Sequence, residues 1–290
     1  MKKKVFEVRN LAYTYAKNGV QAVKGIDFDI HEGEIFGLLG PSGAGKSTTQ
    51  KILTKLLKHY QGDIRFLGKD LRSYGNDYFE NIGVGFELPV HFNKLTGMEN
   101  MSFFQNLYRS KADIESLMKT VGLHKDKDRL VSEYSKGMKM RLNFVRAMLN
   151  NPKFLFLDEV TNGLDPKNAH IIKGLIREFK EGGGTVLLST HLMNDVEELC
   201  DRVAFITQGE ISEVSTTRDL KMKYGRRELT VEYRKNGDTR QKTFELDSIS
   251  ENKDFMHIIK TYPIETMHSG ETSMDDIFIK VTGEDVHEDV

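Results

Sequence analysis

An α/β fold built on a parallel sheet is predicted by three observations. The runs "EIFGLLG", "KFLFLDEV" and "TVLLST" are almost wholly apolar, as strands covered on both faces are. Each run closes in residues able to do chemistry: glycines, a pair of acids, and a histidine. Between the runs lie segments with apolar residues at three-to-four spacing, such as "KSTTQKILTKLL" and "NAHIIKGLIREFK". Strand alternating with helix in this way gives a parallel sheet with crossover helices.

The elements follow in order. From Val5 to Glu34 short β-runs separated by turns predict an antiparallel entry region. "EIFGLLG" is a buried strand entering a glycine-rich turn, "KSTTQKILTKLL" the helix after it, and "DIRFLGK" a further strand. Thr96 to Asn150 reads as helical, with Leu, Met and Phe at helical spacing. "KFLFLDEV" predicts a central strand, and a helix then leads through "EGGG" to the strand "TVLLST". After Tyr224 the style changes. "ELTVEYRKNGDTRQKTFEL" alternates around Asn236-Gly237, a strong hairpin signal, and helix, strand and helix follow. The expected division is a large α/β domain over 1–225, with its helical part at about 96–150, and a small α+β module over 226–290.

Bulk properties narrow the function. With 42 Lys+Arg against 43 Asp+Glu, the net charge of −1 gives no reason to expect a nucleic-acid partner. No stretch approaches the roughly 20 apolar residues of a spanning helix, and "MKKK" is followed by no apolar core of a secretory signal. The lone Cys200 excludes an internal disulfide and suits a reducing compartment. A cytoplasmic chain able to dock on a membrane protein is expected.

"GPSGAGKST", Gly40 to Thr48, matches the phosphate-loop pattern and sits in its required context, after an apolar strand and before a helix. Gly40, Gly43 and Gly45 let backbone N–H groups turn inward, with Pro41, Ser42 and Ala44 completing the nest at a helix N-terminus. Lys46 supplies a cation for the β- and γ-phosphates, Ser47 a hydroxyl for Mg²⁺, and Thr48 ends the motif. A phosphate loop needs a second Mg²⁺ anchor, and "FLFLDE" offers Asp158 as the metal-side carboxylate. Glu159 beside it can face the attacking water where the backbone turns at the strand end. His191 ends "LLSTH" at the same edge. Ser135 in "YSKGMKMR" is a good N-cap before Met138, Leu142, Val145 and Leu149, and Lys136, Lys139 and Arg141 add cations to that helix start.

Phosphate loop, "YSKGMK", "FLFLDEVTNGLDP" and "STH", in this order, resemble the ATP-binding subunit of ABC transporters over roughly residues 5–225. The tail "ETSMDDIFIKVTG" is similar to the ending of bacterial exporter cassettes of the ABC-2 kind. The resemblance implies a P-loop NTPase ABC cassette with an antiparallel β subdomain, a helical subdomain and a small C-terminal module. It implies ATP and Mg²⁺ as cofactors, hydrolysis through Glu159 and His191, and a separate transmembrane permease on the inner face of the membrane. It also implies a head-to-tail pairing with a second nucleotide-binding subunit, a homodimer or a related chain. In that pairing Ser135, Lys136 and Gly137 act on the partner's ATP, and Asp165 belongs to the loop crossing the dimer interface. Lys136 stands where the family has glycine, with phosphate and solvent both open to its ammonium. Tyr15 matches the adenine-stacking aromatic, with Tyr13 the competing choice. Glu87 occupies the lid position, where the family usually has glutamine; in carrying glutamate there the sequence resembles members that protect bacteria from peptide antibiotics. Export of a drug, an antimicrobial peptide or a related compound is the implied function; the rival is a non-transport ATPase of the same fold acting as an ATP-dependent clamp.

Overall fold

The computed structural model describes residues 3–17, 19–88, 90–225, 228–270 and 272–283. In chain order the elements are β1 (Lys4–Thr14), β2 (Gln21–His31), β3 (Ile35–Leu39), α1 (Lys46–Leu53), β4 (Gln61–Phe66), β5 (Lys69–Asp70) and β6 (Ile82–Gly85). Next come α2 (Gly97–Gln105), α3 (Ile114–Thr120), α4 (Lys136–Met148), β7 (Phe154–Asp158), α5 (Pro166–Glu181), β8 (Thr185–Thr190) and α6 (Met193–Leu199). The chain continues through β9 (Arg202–Thr207), β10 (Glu210–Thr216), α7 (Thr217–Tyr224), β11 (Glu228–Lys235), β12 (Asp238–Glu245), α8 (Lys253–Thr261), β13 (Ile264–Gly270) and α9 (Met274–Thr282).

Among the described residues the strands form three sheets. The six-stranded sheet has the order β10-β9-β3-β8-β7-β6, parallel throughout except for the β9–β10 pair. Its central strands are buried on both faces, which is why their sequences carry unbroken apolar runs. A four-stranded antiparallel sheet, β2-β1-β4-β5, is formed by the entry region. Phe6 of β1 packs edge-on to Phe154 and Phe156 of β7, with centroids at 4.9 Å and 5.8 Å, so one aromatic core serves both sheets.

One strand, β6, has no apolar run to announce it. β6 is "IGVG", and its glycines are steric necessities. A Cβ on Gly83 would overlap the Ala147 carbonyl of α4, and one on Gly85 would come within 2.9 Å of Leu157 Cδ2. The β9–β10 hairpin turns at Gln208 and Gly209, with φ of 48° and 84°.

The chain divides into two compact units, with the second beginning at Arg218, in the first turn of α7. The sequence reading put this division at 225. The difference has a local cause: the C-terminal end of α7 is held from the module's side, where Lys280 Nζ donates to the Tyr224 carbonyl at 2.9 Å. The second unit is the sheet β12-β11-β13 with α8 and α9. Its hairpin turns at Asn236 and Gly237, with φ of 55° and 88°, and its small core is Val231, Phe244 and Ile258.

Candidate nucleotide site

The strand register assembles the site. Leu39 pairs with Thr190, and Asp158 with Ser189, so β3, β8 and β7 bring their carboxyl ends side by side. The phosphate loop leaves β3 and enters α1 at Gly45, whose φ of 109° favours glycine. Its neighbour Gly40 passes so close to β9 that a Cβ would overlap the Ile206 carbonyl oxygen. The first turn of α1 contains no acid, leaving its N–H groups to an incoming anion.

Lys46 is 7 % exposed and curls back over the loop, donating to the carbonyls of Gly40 at 2.6 Å and Pro41 at 3.0 Å. Burial lowers its pKa from the usual lysine range, against the opposing pull of Glu159, Asp158 and Glu87. A buried ammonium whose hydrogen bonds go to neutral carbonyls has much to gain from a phosphate. Lys46→Met is therefore expected to weaken ATP binding by about one to two orders of magnitude, the worth of a hydrogen bond to a charged group. Its nucleotide-free melting temperature should change little, because desolvation and the two carbonyl bonds oppose one another; titration calorimetry and thermal melts read the two effects separately.

Tyr15 reaches this loop: its hydroxyl is 3.0 Å from Thr48 Oγ1, and its ring meets Tyr13 edge-on at 5.0 Å. Asp158 closes β7. At Glu159 the backbone adopts φ of 47°, the left-handed region that is costly for a side chain, and the carboxylate turns to the other side. Glu159 accepts from Thr190 Oγ1 at 3.3 Å and from His191 Nδ1 at 2.9 Å. A carboxylate has no proton to give, so Nδ1 carries the hydrogen and the ring's tautomer is fixed. Beyond Glu159 the chain is anchored by the Thr161 hydroxyl, which donates to the buried Asp195, itself paired with Lys173 at 2.7 Å.

Glu87 is exposed, within electrostatic reach of Lys46. One face of α4 ties down the segment carrying it. Asn143 Nδ2 donates to the Phe86 carbonyl at 2.9 Å, Arg146 Nη1 to the Val90 carbonyl at 2.6 Å, and His91 Nε2 lies 3.2 Å from the Lys139 carbonyl. Residues 139, 143 and 146 share a helix face. Burial, reinforced by Arg146 and Lys139, lowers the His91 pKa to about 4 against the opposing bond to the Lys139 carbonyl. The unfolded chain therefore binds more protons between about pH 4 and the ordinary histidine value, and stability falls as pH drops through that window. The melting temperature should decline from pH 7 to pH 5 less steeply in His91→Gln than in the parent.

Ser135, Lys136 and Gly137 stand apart. Among the described residues no hydrogen bond or ion pair joins them to residues 40–48. Ser135 Oγ caps α4 by accepting from Met138 N at 3.2 Å. Gly137 is packed on Asn168, where a Cβ would come within 2.5 Å of the amide. The Lys136 ammonium, for which phosphate and solvent were the open alternatives, lies against Gly163 in the loop after Glu159. Asp165 caps α5, accepting from Asn168 N at 3.1 Å, and the Asn168 side chain and backbone hold its carboxyl below the usual range. Sequence reasoning missed Gln50 and Ser189, polar side chains that are 4 % and 0 % exposed beside Asp158.

The oxygen donors Ser47 and Asp158 suit a hard cation such as Mg²⁺. Among the described residues no three His, Cys, Asp or Glu side chains gather as a metal cage. Phe86, Leu88, Phe92, Phe103 and Leu107 are all exposed. A groove of about 290 Å³ opens beside Phe86, lined also by Ile82, Val84, Phe104 and Arg146.

A phosphate loop with a convergent acid pair and histidine at the ends of parallel strands defines a P-loop nucleotide hydrolase. Residues 23–162 match the ABC transporter family, and residues 227–271 match the fluoroquinolone efflux ABC transporter C-terminal domain. The fluoroquinolones export ATP-binding protein of Mycobacterium tuberculosis is 47% identical over 281 residues, 96% of this chain and 93% of that protein. The daunorubicin/doxorubicin resistance ATP-binding protein DrrA of Streptomyces peucetius is 30% identical, covering 97% of this chain and 93% of its own. Among solved structures, cbiO1 of Clostridium perfringens, part of an ABC transporter complex, superimposes with a TM-score of 0.69 at 27% identity, covering 77% of this chain and 93% of its own. A bacterial ABC transporter cassette solved as a dimer gives 0.66 at 25% identity, covering 73% and 98%. The chain belongs to the ATP-binding proteins of ABC transporters, which hydrolyse ATP to drive transport and work with a membrane permease. Among the described residues no helix is long and apolar enough to cross a membrane.

Proposed function

We propose that this chain powers the export of a fluoroquinolone or a related aromatic drug through a separate permease. The likeness to the mycobacterial fluoroquinolone exporter subunit supports this reading because it runs through both units, including the C-terminal module. Lys46 and the loop N–H groups hold the phosphates of ATP, and Ser47 and Asp158 are the protein's Mg²⁺ ligands. Bound Mg²⁺ would offset phosphate charge. Glu159 takes the proton of the attacking water, and His191 holds the Glu159 carboxylate in place. Tyr15 supplies the adenine platform, and Glu87 closes the lid.

The remaining phosphate charge is met by a second cassette, whose Ser135, Gly137 and α4 N-terminus complete the site. ATP thus binds two chains together, and its hydrolysis releases them. The exposed groove beside α2 and α4 receives the permease, which holds the chain at the membrane's inner face.

The test is drug uptake into inverted membrane vesicles holding the chain with its permease. MgATP-dependent accumulation of norfloxacin, lost in Glu159→Gln, is expected. Accumulation of a peptide antibiotic with no fluoroquinolone transport would overturn the substrate class but keep the exporter.

A further inference from the structure

Beneath Asp158 lies a buried polar pair that the proposed chemistry does not use. Ser189 Oγ is 2.8 Å from Asp158 Oδ1, 2.5 Å from Gln50 Oε1 and 3.4 Å from the Leu157 carbonyl. Gln50 comes from α1, immediately after the phosphate loop, and Ser189 from β8. Burying two polar side chains in an otherwise apolar layer is costly unless every group is satisfied.

Donor counting settles how they are satisfied. A serine hydroxyl has one proton, while ionised Asp158 and a carbonyl can only accept. As placed, the Gln50 amide offers its oxygen, so that single proton can serve only one of Gln50 Oε1 and Asp158 Oδ1 and leaves the other facing Ser189 Oγ lone pair to lone pair. The two ends of a primary amide have nearly the same shape, so hydrogen-bond logic decides which one faces the hydroxyl. With the amide nitrogen inward, Gln50 N–H donates to Ser189 Oγ and Ser189 O–H donates to Asp158 Oδ1, leaving no acceptor opposed to another.

We infer that Gln50 and Ser189 are positioning residues, forming a one-way hydrogen-bond relay that fixes the Asp158 carboxylate for its metal. The inference rests on Asp158 being the Mg²⁺-side acid. The relay engages Oδ1 and leaves the second carboxylate oxygen with no donor among the described residues. It also links the metal acid to α1, so the phosphate loop and the metal ligand move as one piece.

The test measures ATP affinity of the full chain by titration calorimetry, with Mg²⁺ and with EDTA, in Ser189→Ala, Gln50→Leu, Gln50→Glu and Asp158→Asn. Metal-free ATP binding reports an intact phosphate loop and hence a folded chain. Ser189→Ala should weaken the apparent Mg²⁺ affinity of the ATP complex by about 10-fold or more, as loss of a ligand's supporting hydrogen bond does, with metal-free binding unchanged. Gln50→Leu leaves the hydroxyl free to donate to Asp158 and should lose under about 3-fold. Gln50→Glu presents only acceptors, takes the hydroxyl's proton and should lose as much as Ser189→Ala. Equal, small effects from Ser189→Ala and Gln50→Glu, beside a large loss in Asp158→Asn, would overturn the relay alone. An unchanged Mg²⁺ dependence in Asp158→Asn would instead overturn the metal assignment on which it rests.

Discussion

Glu159→Gln is expected to bind ATP as tightly as the parent, lose turnover by about 10²- to 10⁴-fold, and accumulate as an ATP-bound dimer. The substitution keeps shape and leaves the left-handed backbone at Glu159 untouched. An amide oxygen can still accept the His191 Nδ1–H bond found at 2.9 Å. What it cannot do is take a proton from water, because a neutral amide is almost without basicity. Binding and chemistry are thereby separated: Lys46, the loop and the cation hold the nucleotide, whereas only the carboxylate acts on water. Light scattering with and without MgATP checks the mass, and phosphate release checks the rate. A monomer that doubles only with ATP supports the base and the clamp together. Turnover near the parent value would remove Glu159 from the base role.

The effect is large because the site is exact where the fold is rigid. Asp158 ends a strand buried between two neighbours and Glu159 follows it directly, while Thr190 ends the adjacent strand and His191 follows it. Those parts were legible in the sequence because unbroken apolar runs mark central parallel strands, and the chemistry sits where the runs stop. The phosphate loop was legible for a related reason, since few patterns other than anion binding require three glycines before Lys-Ser. β6 was not legible. "IGVG" has poor strand propensity, and its glycines answer to the Ala147 carbonyl and Leu157, contacts that are distant in sequence. The β9–β10 turn left a usable signal, Gln208-Gly209 between apolar runs, that the reading passed over. Gln50 and Ser189 left none: within an apolar pattern, a lone glutamine or serine does not announce that it meets an acid from another strand. Lys136 shows the same limit, because its resting place against Gly163 is a tertiary contact.

Ser135→Asp should abolish ATP-driven dimerisation and turnover while leaving ATP binding to the chain's own loop intact. The choice of aspartate separates two roles that alanine would confuse. Ser135 caps α4 through Met138 N, and a lost cap costs about 1 kcal/mol. Aspartate caps as well as serine does, and its charge at a helix N-terminus is favourable by about 0.3–1 kcal/mol. Within one chain the substitution is therefore neutral or stabilising. Across a dimer it places a carboxylate against the partner's γ-phosphate, where like charges in a closed site repel strongly. A mixture decides the direction of action. Ser135→Asp retains its own phosphate loop, and Lys46→Met retains its own α4 N-terminus, so a pair made from the two variants contains one site with both halves whole. Mixing two inactive chains should then restore part of the ATP hydrolysis. If Ser135 served the nucleotide on its own chain, neither copy would hold a complete site and the mixture would stay silent.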